Sequence, residues 1–259
     1  MARTLKVRPR YYRWHVDPGV EWLEANTGYG YLDWEVPISQ AALVLVDVWD
    51  GHYLKEASER SEEIVRNRIV PLVSACRAAG MQLIHAPAPG LAEEHPARVR
   101  LADRDGVTAA RRDDWPPQGF RSKTGEFEAF ARPEEPREKE LVARRSKRRM
   151  HPLVQAEGSE VVILNGEELH LYCKQEGILF LFFLGFNTNA CILLRDYGTI
   201  EMHKRGYEVI IVRDCGTAME SFESQEGLWQ TRGTIQFLEM FQKSSVASEE
   251  LIAGLSAQG

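Results

Sequence analysis

The sequence predicts an α/β protein of three layers, with a mostly parallel central sheet covered by helices on both faces. Two patterns carry that prediction. Short apolar runs rich in β-branched residues recur without the polar alternation of a strand that has one wet face, as strands buried on both sides do. Each run gives way to a stretch with apolar residues three or four apart, often closed by glycine, which is the spacing and stop signal of an amphipathic helix. Strands alternating with helices form βαβ units, and these gather ligands beyond the carboxyl ends of the strands.

Residues 1–40, with Trp14, Trp22 and Trp34, read as an ordered N-terminal extension packed on a domain spanning 41–259. The first strand is Ala41–Val46, ending abruptly in Asp47-Val-Trp-Asp-Gly51. Apolar spacing through Ile64, Ile69, Leu72, Val73 and Cys76 predicts a helix over Glu59–Ala79, stopped by Gly80 before a second strand, Met81–His85. Residues 86–150 are rich in Arg, Glu and Pro with little periodicity, and so long an irregular insertion predicts a lid or an association surface. A third strand, Glu160–Leu164, leads through Asn165-Gly166 into a helix over Glu167–Glu176, and Gly177 opens a fourth strand, Ile178–Leu184. A helix over Cys191–Arg205 closed by Gly206, a fifth strand at Tyr207–Arg213, a helix over Leu228–Phe241 and a short last strand at Val246 complete the order.

With 44% apolar and 27% charged residues, the 259-residue chain can bury one sizeable core, and its net charge of −6 argues against nucleic acid or an anionic membrane as partner. The basic start lacks the apolar core of a secretory signal, and the longest apolar run, Ile178–Leu184, is too short to span a bilayer. A cytoplasmic location and a small-molecule substrate are expected. Cys76, Cys173, Cys191 and Cys215 form no close pairs and read as thiols.

Two strand ends could carry chemistry. Asp47 follows the first strand, where a partly desolvated carboxylate suits a general base, although a turn or capping aspartate reads equally well there. Gly185-Phe-Asn-Thr-Asn-Ala-Cys191 follows the fourth strand and opens a predicted helix, whose positive end favours a thiolate at Cys191 and whose free N–H groups suit an oxyanion. A buried structural thiol is the plainer alternative.

The strand with Asp47, the Gly185–Cys191 turn and the continuation to Asp214 together resemble the isochorismatase-like and nicotinamidase-related cysteine hydrolases, over roughly residues 41–90 and 155–255. The resemblance implies a Rossmann-like parallel sheet and cleavage of a C–N bond in an amide, carbamoyl or ureido compound, with Cys191 as nucleophile and Asp47 as base. It also implies a cis peptide at Phe186–Asn187 in an oxyanion turn that includes Ala190. The family's catalytic lysine is missing; Asn165 stands just past the third strand and is expected to act as a neutral donor. Trp49 and His85 are expected to shape the substrate pocket, no cofactor or metal is expected, and a homodimer or higher homo-oligomer is anticipated. A second reading is a catalytically weak member that binds a small ligand or serves as an oligomeric interaction protein. Three further features are assigned no catalytic part: Asp50-Gly-His52 with His85 and His95 as a metal set, Lys123 in a lysine-motif mimic, and the basic run Arg144–Arg149, read as a solvated loop beside acidic Glu134–Glu140.

Overall fold

The computed structural model describes residues 3–102 and 115–256. Among them the strands are β1 (Thr4–Val7), β2 (Arg10–Arg13), β3 (Gly28–Tyr31), β4 (Trp34–Pro37), β5 (Ala41–Val46), β6 (Gln82–Ala86), β7 (Val161–Val162), β8 (Phe180–Phe186), β9 (Glu208–Thr217) and β10 (Ser244–Val246). The helices are α1 (Lys55–Ile64), α2 (Val70–Ala79), α3 (Pro89–Ala92), α4 (Gln118–Ser122), α5 (Glu138–Arg145), α6 (Gly166–Glu176), α7 (Thr199–Lys204), α8 (Trp229–Met240) and α9 (Ser248–Ser256). None of these helices is long and apolar enough to cross a membrane.

The main sheet has eight strands in the order β3-β2-β10-β9-β8-β5-β6-β7. From β10 to β7 all neighbours run parallel, and β2 and β3 add an antiparallel edge. Along β5 every residue is buried because alternate side chains feed different cores. Leu43 and Leu45 pack with Leu72, Cys76 and Leu251 of α2 and α9, whereas Ala42, Val44 and Val46 pack with Leu169, Cys173 and Leu238 of α6 and α8. β6 lies on one side of β5 and β8 on the other, so the chain reverses its winding beside β5. A crevice opens at such a switch point, beyond the carboxyl ends of the strands.

Several elements depart from expectation for identifiable reasons. The single helix expected over Glu59–Ala79 is α1 and α2 joined by a wider turn at Val65–Ile69; Pro71 lacks an N–H and crowds the carbonyl one turn back, which the wide turn relieves. The helix expected over Cys191–Arg205 is broken into a turn at Thr188–Ile192 and α7, with Tyr197 buried between them. The third strand shrinks to β7. In the N-terminal segment, β1 and β4 form a separate two-stranded sheet whose Leu5, Val7 and Val36, with Ile38 just beyond it, join the core with Leu251 and Leu255 of α9, a helix that the sequence pattern did not foretell. Of the irregular insertion, residues 103–114 lie outside the described residues; the described remainder carries α3, α4 and α5.

Candidate active site

Asp47 leaves β5 in the left-handed region, at φ 47°, a conformation that aspartate tolerates better than most residues. Its N–H donates to the carbonyl of Ala86 at 3.0 Å, tying the end of β5 to β6. The side chain is thereby turned into the crevice, 7% exposed, where the nearby Cys191 thiol and Ala88 N–H favour its charged form. Phe186–Asn187 is a cis peptide, as the resemblance implied, and it hands the chain from β8 to the turn that carries Cys191. Arg195, whose N–H reaches back to the Cys191 carbonyl at 3.3 Å, brings its guanidinium 3.9 Å from the Asp47 carboxylate and close enough to the thiol to favour its thiolate form.

Burial, reinforced by the Asp47 carboxylate, pushes the Cys191 thiol up to about 11, with Arg195 opposing. Burial also raises Asp47 above the ordinary carboxyl value, against the Cys191 hydrogen bond and the charges of Arg195 and Arg148. Near neutral pH Cys191 therefore rests as a thiol. The expectation of a dipole-stabilised thiolate is corrected: the helix that was to supply the dipole stops after one wide turn, so little aligned backbone lies behind Cys191.

A crevice of about 700 Å³ surrounds this group, lined by Trp49, Asn187 and Ala190 among the expected residues and by His52, Tyr53, Arg145, Arg148 and Arg149 among those not expected. Trp49 is buried with its indole N–H unpaired among the described residues. Asn187 also makes no side-chain hydrogen bond to another described residue, as a spare amide donor facing the reacting atoms would not. Ala190, by contrast, spends its N–H on the Asn187 carbonyl at 3.1 Å.

Two expected site residues lie elsewhere. Asn165 caps α6, its side-chain oxygen accepting the Glu168 N–H at 2.9 Å, and it does not line the crevice. Its neighbour Gly166 explains the dipeptide: the Gly166 N–H donates to Asp196 at 3.0 Å, and a Cβ there would meet the Asp196 carbonyl at 2.1 Å. The Asn-Gly turn thus seats the loop that carries Arg195, and the positive charge comes from that loop. Asn165→Ala is accordingly expected to cost about 1 kcal/mol of stability through the lost cap while leaving KM for any amide substrate unchanged, as parallel urea melts and kinetics would register. His85 is fully buried and its Nε2 meets Glu160 at 2.9 Å. Although burial alone would raise it, Glu160 is held down to about 2 by His85 and by Arg77, whose Nε lies 2.6 Å away. His85 therefore belongs to a structural ion network outside the crevice.

Among the described residues no three His, Cys, Asp or Glu side chains are grouped to hold a metal ion. Lys123 is half-buried and stacks on Phe120, 3.4 Å from the ring centroid. The basic run divides: Arg144 pairs with Glu140 as a solvated cation would, but Arg145, Arg148 and Arg149 reach the crevice. Arg195 was not foreseen; its place one helical turn after Cys191 is the one signal in the sequence that could have found it.

A parallel sheet with a cysteine and an aspartate facing each other across its switch point has the architecture of the cysteine-hydrolase class. Residues 41–240 match the Isochorismatase domain. The chain belongs to the isochorismatase family and is a hydrolase of that kind. Its fold is similar to that of a cysteine hydrolase from Pseudomonas syringae pv. phaseolicola 1448A, at 18% identity over 87% of this chain and 97% of the other with a TM-score of 0.54. It is also similar to an isochorismatase from Pseudomonas putida KT2440, at 15% identity over 83% of this chain and 91% of the other with a TM-score of 0.50. No curated protein matches the chain.

Proposed function

We propose that the protein hydrolyses a C–N bond in a small amide, carbamoyl or ureido compound through a covalent acyl-cysteine. The reading is carried by one observation, the placing of the Cys191 thiol beside the buried Asp47 carboxylate, itself 3.9 Å from the Arg195 guanidinium. Because the thiol is neutral at rest, attack and proton transfer are coupled: sulfur bonds to the carbonyl carbon as its proton passes to Asp47. The spare amide of Asn187 and the Arg195 guanidinium offer donors for the oxyanion. Collapse of the tetrahedral species returns the proton from Asp47 to the leaving nitrogen and releases ammonia or an amine. Water then attacks the thioester, Asp47 takes its proton, and the departing thiolate recovers it.

Ammonia release across a panel of small amides, with mass spectrometry for the acyl adduct on Cys191, tests the reading; turnover with no adduct in quenched samples and full activity without the thiol would sink it. The pH dependence has a definite sign. Asp47 must be ionised to accept the proton, so kcat/KM falls as pH drops through a carboxyl pKa raised above the ordinary value. Asp47→Asn should reduce kcat/KM at least roughly a hundredfold. It should also stabilise the fold at neutral pH, because a carboxyl whose folded pKa is raised is penalised for ionising on folding. Arg195→Gln should lower activity by roughly ten- to a hundredfold and move the acid limb upward, since it removes a cation that favours both the Asp47 carboxylate and the Cys191 thiolate. An acid limb that stays in place would deny Arg195 this part.

A further inference from the structure

The insertion is strapped to the segment that follows β5. Asp50 and Arg149 exchange backbone and side-chain hydrogen bonds at 3.0 and 2.9 Å, Trp49 bridges Met150, and the His151 N–H donates to the Val48 carbonyl at 2.9 Å. This strap holds the basic run over the mouth of the crevice. Arg148 lies over the Trp49 ring, 5.0 Å from its centroid, and Arg145 over Tyr53 at 5.4 Å. Flat aromatic faces fix the guanidinium planes without using their N–H donors.

The crevice is lopsided in charge. Arg145, Arg148, Arg149 and Arg195 face two carboxylates, Asp47 and Glu94, and Asp47 is already engaged by Cys191 and Arg195. Among the described residues, no carboxylate pairs with Arg145, Arg148 or Arg149; Arg149 turns one nitrogen to the Ser146 and Arg148 carbonyls. One neutral group here is also a donor. His52 is held uncharged, its pKa lowered to about 4 by burial and then by Arg148 and Arg145. Its Nδ1 accepts the Leu54 N–H, which leaves the proton on Nε2. Trp49 contributes the ring face on which Arg148 lies.

We propose that the crevice selects a substrate whose scissile amide is tethered to a terminal oxyanion, carboxylate or phosphate, which Arg148, seated on Trp49, and Arg145 hold with His52 while Cys191 and Asp47 act on the amide. The proposal rests on the hydrolase reading for its scissile group and on the arginines of this insertion for its anion. Guanidinium forks match either oxyanion, and two of them over a half-enclosed crevice raise the local concentration of anions.

The test compares alkylation of Cys191 by iodoacetate and iodoacetamide, near-isosteric probes of which only the first is an anion. Their rate ratio cancels the thiolate fraction, so it reads the field at the crevice and not the thiol pKa. The ratio is expected to fall about tenfold in the Arg145→Gln, Arg148→Gln double variant and to fall with added salt in the wild type. A ratio unchanged by the double variant, with Cys191 still reactive, overturns the oxyanion site and leaves the hydrolase reading standing. Calorimetry on Cys191→Ser protein supplies a readout independent of the thiol. Succinamate or phosphonoacetamide should bind at least about tenfold tighter than neutral succinamide, the tighter of the two naming the oxyanion, and Arg148→Gln should remove the preference. Equal binding of all three probes overturns the proposal whatever the thiol does.

Discussion

Replacing Cys191 by alanine is expected to end amide hydrolysis while the protein folds as before. No other described thiol can take its place: Cys76, Cys173 and Cys215 are buried in the two cores, and burial pushes each of them well up. What remains without the thiol is Asp47, Arg195 and the donors of the crevice. Residual rates of such sites exceed the uncatalysed reaction through binding and oxyanion contacts alone, so a drop of several orders of magnitude is expected, with some residue. Stability should change by less than about 1 kcal/mol, because the side chain is small and only partly buried. The measurement is kcat by ammonia release beside a urea melt of the same preparation. Unchanged turnover in Cys191→Ala would remove covalent catalysis from this protein.

Gly185→Ala is expected to have the largest effect on folding. Gly185 sits where β8 bends out of the sheet, paired with Val46 of β5 and Gly216 of β9, at φ 117°. That backbone conformation is closed to residues with a Cβ, and here the added carbon would lie 1.9 Å from the Val46 carbonyl oxygen. Neither partner can retreat, since Val46 and Gly216 are buried on either side. Strain and overpacking together should cost at least about 4 kcal/mol, a large part of the stability of an ordinary domain. A urea midpoint within error of the wild type would show that β8 yields at this point, and the close packing of β5 on β8 would then not be what aims Asp47 at Cys191.

Both predictions depend on positions that the sequence exposes well. β5, β8 and β9 were legible because strands buried on both faces leave unbroken apolar runs, and the Gly185–Cys191 turn was legible because its residue types suit a tight exit from a strand. The crevice wall was less so. Arg145 and Arg148 lie nearly a hundred residues from Trp49 in sequence, and nothing local distinguishes them from Arg144, which is a solvated partner of Glu140. Asn165 was misread because its position beyond a strand suits a crevice residue, whereas β7 is short and its chain turns at once into α6, whose first turn needs a cap.

By itself, then, the sequence determined the fold class and the two strand ends after which Asp47 and Cys191 stand. These follow from local pattern: burial on two faces writes continuous apolar strands, and a parallel sheet delivers whatever follows its strands to one edge. Only the tertiary structure decided that Arg195 stands beside Asp47, that Cys191 rests as a thiol, and that the basic insertion faces the crevice. Charge and protonation depend on distance and burial through the fold, and those quantities are set by contacts between segments far apart in the chain, which no local pattern records.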